Sequence, residues 1–318
     1  MITTNIDIAR QALIANEIVA IPTETVYGLA ANAYSETAVK KIFELKNRPL
    51  YNPLIVHIRS ADFLPEVAVD IPPIAYEMAR QYWPGPLTMI LQKQSHIPGL
   101  VTAGKETVAI RVPDHPLTLS LLEQLDFPLA APSANPFGSI SSTTAQHVAD
   151  YFKDSLQVVL DGGPCRKGLE STIIGVEHGR PVLYRPGAVS MEDIEQRTGK
   201  LIVQTKGSGH EVVAPGMLLK HYSPSTRTYL TSNVKEYLEL LQDKKAGLLL
   251  FKDRIENDAI KYQEILSVSG DMEEAARNLY AAMHRLDKLG LDLIIAERLP
   301  EHGLGKTIND RLQRATEQ

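Results

Sequence analysis

The chain has 318 residues, 44% of them hydrophobic and 22% charged, with a formal net charge of -5 at pH 7. This is an ordinary globular composition, long enough for a large core or two domains, and the net charge gives no general case for coating nucleic acid or lying on a membrane surface. The one cysteine, Cys165, excludes an intramolecular disulfide and any metal site built from several cysteines.

A cytoplasmic protein without membrane attachment is expected. The opening MITTNIDIARQAL lacks the basic-then-apolar layout of a signal peptide. No stretch approaches the ~18 apolar residues of a membrane span, and sparse cysteine suits a reducing compartment.

In chain order, residues 6–16 predict an amphipathic helix with Ile6, Ala9, Leu13 and Ile14 on one face. Ile18 to Ile21 predicts a strand. Ser35 can cap a helix through Val39, Ile42, Phe43 and Leu45, which must stop near Asn47 and Arg48 because Pro49 disfavours helical geometry before it. PLIVHI (53–58) predicts a strand, and a helix over 74–82 is halted by Trp83-Pro84-Gly85-Pro86. Strands follow at 87–92, 108–112 and 129–131. Thr143 and Gln146 predict a capping box for a helix through Phe152. Val158 to Leu160 leads into the turn Asp161-Gly162-Gly163, and STIIGVEHGRPVLYRPG predicts a hairpin turning at 177–180.

From about Leu201 to Ser225 the periodicity fades into Gly, Ser and Pro, which predicts a linker. Beyond it, AGLLLF (246–251), EILSVS (264–269) and LDLIIA (291–296) alternate with helical patterns, including 271–289. That alternation predicts a small α/β domain with a mainly parallel sheet.

Polar residues interrupt or follow most apolar strands of the first 200 residues. Thr23 and Thr25 follow the first strand. Lys46, Arg48 and Asn52 precede the strand that holds His57. Thr107 and Arg111 bracket another, Ser133 and Asn135 follow a third, and Ser171 and Arg185 flank the hairpin. Strand ends in α/β sheets converge on a shared crevice, so the pattern predicts one site assembled from many strands. Arg forks fit phosphates and carboxylates. Ser133, Asn135 and Ser141 precede a predicted helix N-terminus, which favours anions. The site suits a multiply charged anion such as a nucleoside triphosphate, plus a smaller polar molecule. No Ser-His-Asp order and no motif around Cys165 marks a nucleophile, so positioning and charge neutralisation are the chemistry expected.

Taken singly, each residue also has a plainer reading. The threonines can cap a turn, Arg48 can be a helix-end charge, and His57 can be a core histidine. Arg111, inside an apolar strand, demands a partner. GLGKT (303–307) resembles the end of a phosphate-binding loop. The full pattern, however, needs Gly five positions before Gly305, where Pro300 stands.

PTETVYGLA, KNRPLYNPLIVHI, WPGPLT, VAIRVPDH, APSANPFGSIS, ESTII and YRPGAV resemble, in order, the motifs of the YrdC-type threonylcarbamoyl-AMP synthases. PGMLLKHYSP and the closing GLGKTINDRLQRA are similar to the linker and extra C-terminal domain of the long form. Where that family often shows Ser-Pro-Gly-Met-Lys, Ala214 and Leu218 take the first and last places here, with Lys220 nearby.

The resemblance implies a large twisted mixed sheet with helices over residues 1–202. It also implies a linker or lid over 203–225 and a smaller Rossmann-like α/β domain over 226–318. It implies that L-threonine, bicarbonate and ATP give threonylcarbamoyl-AMP and pyrophosphate, for later transfer to tRNA by a separate transferase. Thr25, His57, Arg111 and Ser171 would hold threonine. Arg48, Asn52, Thr107, Ala131, Ser133, Ser141, Arg185 and Tyr222 would hold the nucleotide, with Asn135 in the same pocket. Lys46 and Arg48 would face the triphosphate as the catalytic cations. Magnesium (Mg2+) is expected to arrive on ATP rather than on protein ligands. Direct tRNA binding is left open. The competing reading is a double-stranded RNA-binding module without catalysis, which requires a wide basic surface.

Overall fold

Short buried strands and amphipathic helices alternate along the chain in a computed structural model that describes residues 1–177, 179–204, 214–217, 221–239, 244–257 and 260–316. The strands of the first sheet are β1 (Ile2–Thr3), β2 (Val19–Ile21), β3 (Gly28–Asn32), β4 (Ile55–His57), β5 (Ala68–Val69), β6 (Leu87–Lys93), β7 (Thr107–Arg111), β8 (Leu129–Ala130), β9 (Val158–Leu160), β10 (Thr172–Glu177), β11 (Arg180–Arg185) and β12 (Ile202–Val203). They lie in the order β1-β9-β2-β3-β8-β4-β7-β6-β10-β11-β12, with β5 added to β6. The pairing is mixed: β4 runs parallel to β7 and β6 to β10, whereas β7 is antiparallel to β6 and β10 to β11.

The sheet buries both faces. On one side, α1 (Ile6–Ile14) sets Ala9 and Leu13 against Val19, Ile21 and Leu160. On the other, α2 (Glu36–Lys46) sets Val39, Ile42 and Phe43 into a large core with Val56, Met89 and Ile110. Ser35 caps α2 by accepting from the Ala38 amide, and Asn47 ends it in the left-handed region at φ 50°. That stop sets Lys46 and Arg48 on either side of the turn, and of the two Arg48 lines the cavity described below. Two short helices, α3 (Leu64–Val67) and α5 (Gly99–Thr102), close loops. The longer α4 (Pro73–Tyr82), α6 (Pro116–Glu123), α7 (Ala145–Phe152) and α8 (Met191–Thr198) complete the layers.

The second sheet is β13 (Thr228–Thr231), β14 (Ala246–Leu250), β15 (Tyr262–Ile265) and β16 (Leu293–Glu297), in the order β13-β16-β14-β15 and all parallel. Alternate residues point to opposite faces, as a strand requires. Leu249, Ile294 and Ala296 pack with α10 (Met272–Asp287) and α11 (Leu304–Thr316). Leu248, Leu250, Leu293 and Ile295 pack on the other side with Val234 of α9 (Val234–Glu239). The α10–α11 core is continuous with Val26, Ile140, Leu169 and Tyr222 of the preceding segments, so the two sheets share apolar packing. Among the described residues, no helix is long and apolar enough to cross a membrane.

Several elements differ from expectation. The cap of α7 is Thr144, which accepts from the His147 amide, while Gln146 donates to Asp150 instead of closing a box with Thr143. β15 ends at Ile265, short of the EILSVS run. The Ser267 and Ser269 hydroxyls leave the sheet to bond Glu274, and Ser267 also accepts from the Asp271 amide. Sequence periodicity missed β3, α6, α8 and β13. Within the expected linker, residues 203–204, 214–217 and 221–225 are described, and Ala214, Met217 and Tyr222 are buried. Leu218, Lys220 and the tip of the hairpin turn at His178 lie outside the described residues.

Candidate active site

The strand register brings the polar ends together. His57 closes β4 directly opposite Arg111, which closes β7. β6 runs the other way, so its start meets the Arg111 end of β7. Thr172, the first residue of β10, pairs with Leu87 there. Arg185 closes β11 opposite Ile173, and the loop after β2 brings in Thr23 to Thr25. The result is a cavity of about 560 Å³ including its mouth. Thr25, Arg48, His57, Arg111, Ala131, Ser133, Ser171, Arg185 and Tyr222 line it.

The segment Thr23-Glu24-Thr25 buttresses Arg111. The Thr23 hydroxyl donates to the Val26 carbonyl at 2.6 Å, accepts from the Thr25 and Val26 amides, and meets the Thr25 hydroxyl at 2.8 Å. The Thr25 hydroxyl accepts from Arg111 Nη1 at 3.0 Å, and Arg111 Nε donates to the Gly85 carbonyl. Glu24 Oε1 lies 2.6 Å from Arg111 Nη2 with both side chains buried. The contact is an ion pair whose angle falls short of a hydrogen bond. The second Glu24 oxygen accepts from the Asp114 amide. A guanidinium has five N–H donors, so Arg111 keeps donors for a ligand.

Arg48 and Arg185 are buried differently. Arg48 donates to the carbonyls of Asn52 and Pro53, and Arg185 to those of Ser171 and Pro215 and to the Ser171 hydroxyl. Lys46, also buried, donates to the carbonyls of Ser133, at 2.5 Å, and Asn135. Among the described residues, no carboxylate lies within ion-pair distance of these three cations. Burial, then the neighbouring Arg185 charge, lowers the Arg48 pKa to about 9, and burial and Arg48 hold Lys46 well below the usual lysine range. Uncompensated buried charge is costly, which makes this corner a receptor for an anion.

Other polar groups are orphaned around the same space. His57 Nδ1, the Tyr222 hydroxyl and His221 Nδ1 are buried without a hydrogen-bond partner among the described residues, as are both amide atoms of Asn52, an expected site residue that lies outside the lining. Burial, then Arg111, pushes the His57 imidazole down to about 3, so it is neutral at pH 7. Native interiors satisfy nearly all such groups, and each exception asks for a ligand, a water or a role.

The remaining expected site residues lie outside this lining. Asn135 holds its own loop by donating to the Pro136 and Ser139 carbonyls. Ser141 does not face a helix N-terminus: its hydroxyl donates to Glu170 Oε1 at 2.6 Å. Thr107 starts β7, at the opposite end from Arg111. Cys165 is buried, and burial and then Glu24 push its thiol up, away from the thiolate.

Sequence reasoning missed Glu24, Glu170, His221 and the strap of Pro215 and Gly216. The demand for an Arg111 partner was a signal for Glu24, the acid beside the expected threonine loop. Glu170 had no such signal, because its partners Tyr280 and Arg311 lie more than a hundred residues away. The GLGKT run is not a phosphate loop. Leu304 already begins α11, Lys306 donates to Glu192 and Thr307 to the Gly187 carbonyl.

Two family models match the chain. One, described as telomere recombination and covering Sua5, YciO and YrdC, matches residues 11–187. The other, described as the C-terminal domain of threonylcarbamoyl-AMP synthase, matches residues 189–316. A threonylcarbamoyl-AMP synthase of Pyrococcus abyssi is 41% identical over 94% of this chain and 90% of its own length. One of Bacillus subtilis is 40% identical over 94% and 89%. The crystal structure of P. abyssi Sua5 complexed with L-threonine superposes with a TM-score of 0.90 at 41% identity, covering 98% of this chain and 94% of that one.

Proposed function

The chain belongs to the Sua5/YciO/YrdC family, in the form that carries the synthase C-terminal domain, and from that premise we propose how its cavity works. The protein is a nucleotidyltransferase that forms threonylcarbamoyl-AMP, with threonine and ATP as substrates. The observation that carries the reading of the site is the convergence of Arg48, Arg111 and Arg185 on one cavity, where His57 Nδ1 and the Tyr222 hydroxyl also lack hydrogen-bond partners among the described residues.

In this reading the amine of threonine and bicarbonate first give a carbamate and water. A carbamate oxygen then attacks the α-phosphorus of ATP. The new P–O bond forms as the bond to the β,γ-pyrophosphate breaks, and pyrophosphate leaves with the electron pair. The carbamate is a weak nucleophile, so the protein must hold both partners, neutralise phosphate charge and keep water out. Arg111 takes the threonine carboxylate with the donors that Glu24 and Thr25 leave free. His57, neutral and with Nδ1 free, and Ser171 complete that end, beside Thr25. Arg48 and Arg185 face the phosphates, Ala131 and Ser133 form the adjoining wall, and Tyr222 closes the space above. Lys46 supports the wall from behind through the Ser133 and Asn135 carbonyls.

Magnesium enters with the nucleotide as its counter-ion. Glu170, the carboxylate among the lining residues, has both oxygens engaged by Ser141, Tyr280 and Arg311 and none to spare for a cation. The product passes to a separate tRNA transferase. The RNA-binding alternative is not favoured, because it needs exposed basic area and these guanidiniums are buried.

Pyrophosphate release measured with ATP, magnesium, threonine and bicarbonate tests the reading. Release should require both threonine and bicarbonate. Release that ignores threonine, or none in the complete mixture, overturns it.

A further inference from the structure

Arg311, on α11, is fully buried and touches three separate parts of the site. Its Nε donates to Glu170 Oε2 at 2.9 Å, its Nη2 donates to the carbonyl of Pro186, next to Arg185, and its Nη1 donates at 2.5 Å to Asp310, which Arg314 also holds and so keeps charge-balanced. Its Cζ sits 4.8 Å over the ring of Tyr222, which has a left-handed backbone at φ 64°. Tyr280, on α10, stacks on that ring with centroids 5.9 Å apart and donates its hydroxyl to Glu170 Oε2 at 2.9 Å. Glu170 therefore sits at the cavity wall with its charge directed into the C-terminal helices.

We propose that Arg311 is a positioning residue of the active site: by neutralising Glu170 from the C-terminal domain, it leaves Arg185 free for the nucleotide's phosphates. This rests on the reading of the cavity given above. Glu170 and Arg185 both line the cavity and feel each other's charge. Burial alone would raise the Glu170 pKa, but the Arg311 and Arg185 charges outweigh it and keep the carboxylate ionised. A buried carboxylate stripped of Arg311 still feels the charge of Arg185, which has no ion pair among the described residues. Arg185 then spends its charge inside the protein, where it cannot also serve a phosphate. The C-terminal domain thus contributes charge balance to a cavity whose described lining contains none of its own residues.

Steady-state kinetics of the full chain test this. Arg311→Met should raise the KM for ATP by about tenfold or more, the factor that 1.4 kcal/mol carries, with a smaller change in the KM for threonine. The double variant Glu170→Gln/Arg311→Met removes both charges, while the Gln oxygen and amide can still meet Ser141 and Tyr280. It should bring the ATP KM back to within about threefold of the parent, a coupling that a double-mutant cycle reads directly. Arg311→Lys keeps the charge and should stay within about threefold by itself, which gives a reading even where the methionine variant does not fold. An unchanged ATP KM in Arg311→Met, a double variant as poor as the single one, or a large ATP defect in Arg311→Lys overturns the proposal. Loss of threonine-dependent pyrophosphate release in the parent protein itself overturns the functional reading instead, so the two failures are distinguishable.

Discussion

Glu24 and Arg111 meet at 2.6 Å inside the protein, one from the loop after β2 and the other from the end of β7. Neither can be removed alone without leaving the other charge stranded. Glu24→Ala should destabilise the fold by about 3–5 kcal/mol, the usual cost of breaking a buried pair. It should also raise the KM for threonine more than that for ATP, because Arg111 loses its orientation. Arg111→Ala should lower the threonine-dependent rate by ~10²–10³, the scale for deleting one charged donor at a reacting centre. Urea unfolding and separate titrations of the two substrates check both. Equal loss of affinity for threonine and ATP in Glu24→Ala would contradict the assignment of this pair to the threonine end.

Histidines that the fold holds neutral, His57 and His284 buried and His147 half-buried, give it an acid limit. His57 is held down to about 3 by burial and Arg111, His147 to about 3 by burial and His284, and His284 to about 4 by burial. Each folded value lies below the unfolded one near 6.5. Below pH 6.5 the unfolded chain therefore binds protons that the folded chain refuses, and stability falls as pH falls. Above 6.5 the imidazoles are neutral in both states and their contribution is complete. The slope is at most about 1.4 kcal/mol per pH unit for each histidine. His147 and His284 stack at 4.0 Å across α7 and α10, so His147→Gln should flatten the decline between pH 6.5 and 4. Denaturant midpoints at several pH values measure it, and an unchanged slope in the variant removes His147 from the account.

Much of this arrangement was readable from residue order, for a physical reason. Strand ends carry polar side chains only where something polar waits, so Thr25, His57, Arg111, Ser171 and Arg185 announced a shared crevice. What escaped was either local geometry or long-range pairing. β3 reads as Gly-Leu-Ala-Ala-Asn, a small-residue strand buried on both faces, which shows no alternation. The apolar α6, PLTLSLLE, has so little polar face that its period is faint. The contacts of Glu170 and Lys46 depend on how distant segments fold over them, and no local pattern encodes that. The segment around Ala214 and Tyr222 has the composition of a linker. It is nonetheless packed, because Ala214 and Met217 join Ile55, Ile173 and Tyr184 in an apolar cluster.

That strap turns on Gly216. Its φ is 86°, and a Cβ there would lie 2.9 Å from both the Tyr222 hydroxyl and Arg185 Cδ. Gly216→Ala therefore strains the backbone, at about 1–2 kcal/mol for a left-handed residue, and pushes on two groups assigned to the nucleotide. The expected outcome is a raised KM for ATP with only a small drop in melting temperature, since the strap is a minor part of the core. A normal ATP titration with a large loss of melting temperature would instead make Gly216 a folding residue.

The phosphate-loop resemblance of GLGKT can be settled with one lysine. In a true phosphate loop the lysine reaches the nucleotide's phosphates, and losing it abolishes binding. Here Lys306 is partly exposed and pairs with Glu192 at 2.7 Å on the surface. Exposed pairs are worth about 0–1 kcal/mol. Lys306→Ala should therefore leave the KM for ATP and the pyrophosphate rate within about twofold of the parent, with stability lowered by less than about 1 kcal/mol. Arg48→Ala, assayed alongside, should weaken ATP severely, because that guanidinium lines the cavity and has carbonyl partners but, among the described residues, no acid to share its charge with. If the lysine variant lost ATP and the arginine variant kept it, the nucleotide would sit in the C-terminal domain and the cavity would need another occupant.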